Sequence, residues 1–221
     1  MRTGSGASSG RSANHEVYAT SLRYHVHEMI WMGYQRLKPA DYTTSEEPDI
    51  TGELVRAMHD AIQDDDAPDW AIHYELPKDD PPLNVQGRRG KRRPRVDIEF
   101  VRVSRGTRPR FRFEAKRLGL GHPVGLYLGE EGMGRFLSGK YPVTHEEAGM
   151  LGYVQSRNEQ TWADKLEAEL ERKPEKYAVR EDGPWERVSI VARLHHTYRS
   201  RHDCGSALPP VTICQVLLRF C

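Results

Sequence analysis

The chain has 221 residues, of which 37% are hydrophobic and 29% are charged, and its mean hydropathy is −0.74. This length suits one sizeable domain whose core needs no disulfide or metal, and it is too short for two full-sized domains. No stretch approaches the roughly 18 apolar residues of a membrane helix, and the N-terminus lacks the apolar region of a secretory signal. An integral membrane protein is therefore excluded.

Charge and cysteine content set expectations about partners and compartment. The 33 basic and 32 acidic residues give a net charge of +1, so affinity for nucleic acid would have to come from local clusters. The three cysteines, Cys204, Cys214 and Cys221, are odd in number and lie near the C-terminus. They form no disulfide framework, which makes a reducing cytoplasm the simplest compartment.

The first part of the chain is predicted to be helical. Residues 1–14 are rich in Gly and Ser and are interpreted as a disordered leader. Residues 15–37 have apolar side chains at spacings near three and four, which predicts a long helix. A loop with two prolines follows over 38–50, and a second amphipathic helix is predicted over 51–63.

The middle of the chain changes to a period of two. A strand is predicted over 70–76, followed by a long loop over 78–94 that is rich in Pro, Gly and charge. Residues 95–103 and 110–118 each alternate apolar and charged side chains. The short Gly-containing turn between these two segments predicts a β-hairpin.

The last part of the chain is predicted to return to helices and then to strands. The predicted helices cover 129–141, 144–158 and 161–173, and strands are predicted within 185–200 and 209–220. The second of these helices is supported by Thr144 and Glu147, which have capping-box spacing. The element order predicts an α+β, or mixed α/β, fold.

The domain organisation follows from these elements. We predict a single domain over 15–221, in which 15–50 is an N-terminal helical appendage and 51–221 is the core.

Two acids and a lysine share one face of the predicted hairpin. Asp97 lies on its first strand, and Glu114 and Lys116 lie two residues apart on the second. Residues i and i+2 of a strand project to the same face, so carboxylates on neighbouring strands can converge on one cation. Mg²⁺ takes oxygen ligands and keeps several waters, so one or two carboxylates are enough. A lysine beside them can hold or deprotonate a metal-bound water, or neutralise charge that develops during phosphodiester hydrolysis.

The spacing of these residues resembles the motif of the PD-(D/E)xK nuclease superfamily. Asp97 is followed by sixteen residues and then by Glu114-Ala115-Lys116, on consecutive strands after a helix that contains Glu53. The proline of the motif normally adjoins the aspartate, whereas Pro94 lies three residues before Asp97. The resemblance implies a restriction-endonuclease-like core, with a helix, a three-stranded meander, a helix and further strands, here preceded by an extra N-terminal helix.

The resemblance also implies a site and an activity. Asp97, Glu114 and Glu53 would bind Mg²⁺ or Mn²⁺, and Lys116 would position the attacking water. The protein would be a cytoplasmic, metal-dependent endonuclease that hydrolyses DNA, in bacterial defence against phage or plasmid DNA. A small nuclease without a visible recognition module needs control, so we expect a partner such as a helicase or ATPase, or a homo-oligomer.

Alternatives to this interpretation exist at both levels. The strand face could be an ordinary solvent-facing one, in which Arg112 and Lys116 pair with Asp97 and Glu99 across strands. If a metal does bind, Glu99 is a rival ligand on the face of Asp97. The fold could also serve a catalytically inactive nucleic-acid-binding or assembly subunit, or an RNase with the same site.

A basic cluster precedes the first strand of the hairpin. It could neutralise phosphates of DNA or RNA and steer the substrate to the metal, or it could be a solvated loop. Its residues are Arg88, Arg89, Lys91, Arg92, Arg93 and Arg95. No base-reading motif accompanies them, so sequence-specific cleavage has no support.

Further candidates lie in the second half of the chain. Arg135 and Lys140 could contact phosphates, and Tyr153 and Gln155 could add to the site from the helix predicted over 144–158. Zinc binding is conceivable for His195, His196, His202 and Cys204, but their spacing matches no closed zinc pattern. His196, Tyr198, Arg199 and His202 are interpreted as residues that touch phosphate or simply pack.

Overall fold

A computed structural model describes residues 9–64, 70–77, 95–102, 109–143, 146–205 and 208–221. The helices are α1 (Ser9–Arg36), α2 (Glu47–Asp64), α3 (Val124–Leu128), α4 (Gly134–Leu137) and α5 (Glu159–Arg172), with a 3-10 helix over Pro39–Tyr42. The strands are β1 (Trp70–Pro77), β2 (Arg95–Arg102), β3 (Arg110–Leu118), β4 (Glu147–Val154), β5 (Glu186–Arg187), β6 (Thr197–His202) and β7 (Val211–Arg219).

The described strands form one mixed seven-stranded sheet in the order β1-β2-β3-β4-β7-β6-β5. β1, β2 and β3 are antiparallel neighbours, β3 pairs parallel with β4, and β4 pairs parallel with β7. β6 and β5 extend the sheet with antiparallel pairing. The predicted mixed α+β class is confirmed.

Helices cover both faces of this sheet. α1 and α2 pack on one face, where Leu54, Met58 and Phe113 lie in one buried core. α3, α4 and α5 pack on the other face, where Phe136 and Leu166 belong to a second core. The central strands are therefore buried on both sides. None of the described helices has the length and apolar character that a bilayer span requires.

The helix predicted over 144–158 is wrong, because residues Glu147–Val154 form the central strand β4. Seven of the eight residues of β4 are buried, as expected for a strand with parallel neighbours and helices on both faces. A Cβ on Gly149 would lie 2.1 Å from the ring of Phe113 on β3, so this glycine admits the neighbouring side chain. The continuous apolar run, and not the capping-box spacing, was the informative signal.

The ends of the first two helices differ from their predicted positions. α1 begins at Ser9, so it includes residues 9–14 of the predicted leader, and residues 1–8 lie outside the described chain. α2 begins at Glu47, four residues before the predicted start, with Pro48 in its first turn. Proline suits that position because its missing N–H would have no partner inside the helix.

Acid is expected to weaken this fold through two buried histidines. Burial lowers the pKa of both His27 and His202 to about 4. Their unfolded pKa is about 6.5, so the unfolded chain binds these protons first. Each histidine contributes about 3 kcal/mol of stability above pH 6.5, which is lost as the pH falls through 4.

Urea denaturation between neutral and acidic pH measures this loss. A His27→Gln variant should lose less stability on acidification than the wild type, whereas His195→Gln, at an exposed position, should match the wild type. An unchanged pH dependence in the His27→Gln variant would contradict the assignment.

Candidate active site

The candidate site begins where the antiparallel ladder between β2 and β3 ends. The last pair of that ladder is Ile98 with Phe113. One residue earlier on β2, the carboxylate of Asp97 accepts a hydrogen bond of 2.8 Å from the backbone N–H of Ala115. The side chain of Asp97 thus satisfies a backbone donor of β3. This hydrogen bond fixes the carboxylate beside Glu114 and Lys116, the residues on either side of Ala115.

The ammonium group of Lys116 lies among three carboxylates. Its Nζ is 2.8 Å from Oε1 of Glu114, 2.8 Å from Oε1 of Glu47 and 4.0 Å from Oδ2 of Asp97. It also donates to the carbonyl oxygen of Ala115 at 2.7 Å. We call Glu47, Asp97, Glu114 and Lys116 the Lys116 cluster.

Glu47 joins this cluster from the first turn of α2. One of its carboxylate oxygens accepts from Lys116, and the other lies 3.3 Å from the backbone N–H of Arg117. An acidic side chain is favourable at a helix N-terminus, where the helix dipole is positive. The start predicted at residue 51 excluded Glu47 from the helix. The Glu47-Pro48 pair is the sequence signal that could have included it.

Burial dominates the electrostatics of the two strand carboxylates. The side chain of Glu114 is fully buried, and burial followed by the nearby Asp97 raises its pKa to about 8. Burial also raises the pKa of Asp97, although Lys116 opposes that shift. Burial therefore opposes the ionisation of both carboxyl groups in the protein alone.

Lys116 responds in the opposite way. Burial disfavours its charge, but the carboxylates of Glu114, Asp97 and Glu47 outweigh that effect and raise its pKa. The group is therefore an ammonium ion at neutral pH, which makes it a hydrogen-bond donor and a positive charge.

Arg135, from α4, approaches the cluster as a second cation. Its Nη1 lies 3.3 Å from Oε1 of Glu114, and the same nitrogen donates to the hydroxyl of Tyr141. The Tyr141 hydroxyl donates in turn to the backbone carbonyl of Arg95. The three carboxyl groups of the Lys116 cluster thus face two cations, Lys116 and Arg135, and the raised pKa of Glu114 keeps this buried acid largely protonated at neutral pH.

Glu53, the predicted helical metal ligand, has different neighbours. It forms an ion pair with Arg56 one turn further along α2 and lines a surface groove with Tyr42. The glutamate of α2 that contacts Lys116 is Glu47 instead. The two residues are six apart, so they do not lie at the same height on the helix.

The carboxylate of Glu99 is paired with arginines of β3 and not with the Lys116 cluster. It is buried on β2 opposite Arg112, whose Nε donates to its Oε1 at 2.6 Å. Arg112 is also buried, and it donates to the carbonyl oxygen of Pro142 as well. The predicted cross-strand pairing is therefore present for Glu99 and Arg112, and Nη1 of Arg110 lies 3.9 Å from the same Oε1 of Glu99.

Tyr153 lies near the end of β4, and Gln155 directly follows this strand. Gln155 donates to the backbone carbonyls of Tyr42 at 2.8 Å and Ser45 at 2.9 Å, and so holds the segment that leads into Glu47. The buried hydroxyl of Tyr153 lies 2.9 Å from that of Thr51 on α2. Tyr153 contacts α2 directly and Gln155 holds the segment before it, and among the described residues the hydrogen bonds of Lys116 Nζ go to Glu47, Glu114 and Ala115 instead.

His196 and Tyr198 lie beside and on β6, which is separated from β3 by two strands. The ring of Tyr198 stacks on Trp185 at 4.9 Å, and Nδ1 of His196 lies 3.2 Å from its hydroxyl. His202 uses both ring nitrogens within the protein, toward Ser200 and the carbonyl of Tyr177, each at 2.8 Å. These contacts indicate packing and give the zinc alternative no support.

Most of the predicted basic cluster, from Arg88 to Arg93, lies outside the described residues. Arg95 is described and exposed at the start of β2, and its carbonyl oxygen accepts from Tyr141. This backbone contact ties the start of β2, and so Asp97, to the segment that contains Arg135.

Over the described ranges, no three His, Cys, Asp or Glu side chains are grouped in the way that holds a metal ion. In the Lys116 cluster the carboxylates surround an ammonium group. Comparison with models of protein families, with curated proteins and with solved structures found no match. The geometry of the Lys116 cluster is therefore the basis on which a function can be inferred.

Proposed function

We propose that this protein is a metal-dependent nuclease that hydrolyses phosphodiester bonds of DNA at the Lys116 cluster. The observation that supports the proposal is the meeting of three carboxylates, from α2, β2 and β3, around the single ammonium group of Lys116. An excess of buried acids is costly unless a further cation joins them.

The donor chemistry fits a hard divalent cation. Mg²⁺ and Mn²⁺ prefer carboxylate oxygens, and Mg²⁺ needs only one or two of them because it keeps several waters. Asp97 and Glu114 would hold the ion, and Glu47 would take the role that the sequence assigned to Glu53. A divalent charge would also favour the ionised form of Glu114, whose pKa burial raises to about 8 in the protein alone.

Each group has a distinct part in the proposed reaction. When bound, the metal would supply Lewis acidity toward the phosphate and a water of lowered pKa. Lys116 neutralises negative charge that develops on the phosphate oxygens and orients water through its N–H donors. Asp97 and Glu114 fix the place of the reaction, and Gln155 holds the approach to Glu47.

The element order around the site also supports the proposal. α2 precedes the antiparallel meander of β1, β2 and β3, and short helices lead to the parallel strand β4. We propose that this arrangement is the restriction-endonuclease-like core that the Asp97 and Glu114-Ala115-Lys116 spacing implies. A cytoplasmic role in defence, under the control of a partner or of self-association, is proposed with it.

Incubation of supercoiled plasmid DNA with the full chain tests the function. Nicking is expected with Mg²⁺ or Mn²⁺ and not in EDTA. Glu47→Gln should slow nicking by about 10- to 100-fold, the range typical of groups that support a metal site. Glu53→Gln is the matched control on the same helix and should leave the rate unchanged.

Other outcomes would favour the other candidate functions. DNA binding without cleavage under either metal would favour a binding or assembly subunit. Cleavage of RNA with no cleavage of DNA would identify an RNase, which the same attack on phosphorus permits. Equal losses from Glu47→Gln and Glu53→Gln would contradict the placement of Glu47 at the site.

A further inference from the structure

A second charged group adjoins the Lys116 cluster on the side of α4. The carboxylate of Glu131 accepts from Nη2 of Arg135 at 2.5 Å and lies 3.9 Å from Nζ of Lys140. Arg135 also reaches Glu114, through Nη1 at 3.3 Å. We call Glu131, Arg135 and Lys140 the Arg135 site. It places two cations beside the proposed metal ligand with one acid between them.

A close-packed turn holds this site in place. The backbone N–H of Gly132 donates to the carbonyl of Gly129, and a Cβ on Gly132 would lie 2.1 Å from the carbonyl oxygen of Tyr127. Only glycine fits so close to another backbone segment. This turn places Glu131 against Arg135, which lies four residues further along the chain. Gly132 thus allows the tight turn that positions Glu131.

The exposed fractions of the three side chains show which of them an external anion can replace. The side chain of Glu131 is 69% exposed, that of Lys140 is 43% exposed and that of Arg135 only 22% exposed. Arg135 also bonds to the hydroxyl of Tyr141 and pairs with the carboxylate of Glu114, so it keeps these two partners when Glu131 moves away. Exposed ion pairs are weak, so another anion can displace Glu131 from Arg135 at little cost.

The donors of Arg135 are suited to such an anion. Within the described chain, its Nε–H has no hydrogen-bond partner, while Nη1 and Nη2 serve protein acceptors. If an anion replaced Glu131, the Nε and Nη2 donors of Arg135 would both be available to that anion. A planar guanidinium binds a phosphate through two parallel N–H donors, and a nearby lysine adds a point charge.

We infer that the Arg135 site binds a backbone phosphate of the nucleic acid, and that Glu131 occupies the place of this phosphate until the substrate arrives. Arg135 and Lys140 bind the phosphate, and Glu131 swings into solvent. The inference rests on the proposed function for the class of ligand. It adds to that function a substrate subsite with an internal competitor.

Binding of a fluorescein-labelled DNA duplex to the full chain in EDTA, followed by anisotropy, tests the inference without cleavage. Arg135→Gln should weaken binding roughly tenfold. Lys140→Ala should reduce the slope of log affinity against log salt by about one, the share of one phosphate contact. Glu131→Gln should tighten binding about two- to fivefold, because a weak exposed pair no longer competes.

Two comparisons separate competition from a general effect of charge. Glu130→Gln removes the same charge one residue earlier, at an exposed position, and should change affinity less than Glu131→Gln. In an Arg135→Gln background, Glu131→Gln should no longer tighten binding. Equal gains from the Glu130 and Glu131 variants, or a full gain without Arg135, would overturn the inference.

The cleavage assay distinguishes this inference from the proposed function. If plasmid nicking occurs but the Glu131 pattern is absent, the inference alone fails. If the Glu131 pattern is present but no variant or metal gives nicking, the phosphate subsite stands and the proposed hydrolysis fails.

Discussion

Replacement of Lys116 by alanine is expected to slow plasmid nicking by about 10²- to 10⁴-fold, the range for loss of a group that transfers protons or stabilises charge in a transition state. Nζ of Lys116 contacts Glu114 and Glu47 and lies 4.0 Å from Oδ2 of Asp97. Its removal takes away the donor that orients water and the charge that faces the phosphate.

The same substitution is expected to leave metal binding intact or to tighten it. The ammonium group competes with a divalent cation for the carboxylates of Asp97 and Glu114, so its loss makes them more available. Titration with Mn²⁺, followed by calorimetry, measures this effect, and DNA binding should stay close to that of the wild type. Lys116→Met, which keeps most of the side chain, controls for packing.

A cluster that binds no metal would behave differently in these experiments. If the cluster were only a set of salt bridges, Lys116→Ala would lower the melting temperature, and neither the wild type nor the variant would be stabilised by Mn²⁺. An unchanged nicking rate in the Lys116→Ala variant would remove this residue from the reaction.

The largest effect on stability is expected at the neighbouring pair of Glu99 and Arg112. Both side chains are at least 95% buried, and their contact is 2.6 Å long. Removal of one partner of a buried ion pair leaves the other charge without compensation and costs about 3 to 5 kcal/mol. Glu99→Leu should therefore lower the free energy of unfolding in urea by this amount.

The double variant Glu99→Leu/Arg112→Met should recover most of this loss, since an apolar pair of similar volume removes both buried charges. Nicking by the folded double variant should persist, because the Lys116 cluster does not include Glu99. Loss of nicking in a stably folded double variant would return Glu99 to the list of metal ligands.

The sequence was most informative where a short pattern is read locally. The alternation in β2 and β3 predicted both strands nearly to their ends, because a period of two follows from the pleat alone. The same alternation placed Asp97, Glu114 and Lys116 on one face, and the structure brings these three side chains together.

Sequence reasoning failed where burial decides the conformation. β4 lies between β3 and β7 with both faces covered, so its residues show no alternation, and a capping-box spacing at its start favoured the wrong element. The wrong prediction also placed Tyr153 and Gln155 on a helix, whereas Tyr153 lies near the end of β4 and Gln155 directly follows it.

The sequence alone determined the mixed class of the fold, the hairpin of β2 and β3, and the set of charged residues on one face of that hairpin, because these features depend on neighbours in sequence. Only the tertiary structure decided that Glu47, and not Glu53, contacts Lys116, that Arg112 neutralises Glu99, and that Arg135 reaches Glu114. Partners of this kind are 13 to 69 residues apart along the chain. Their meeting is set by how helices pack on the sheet, which no local pattern encodes.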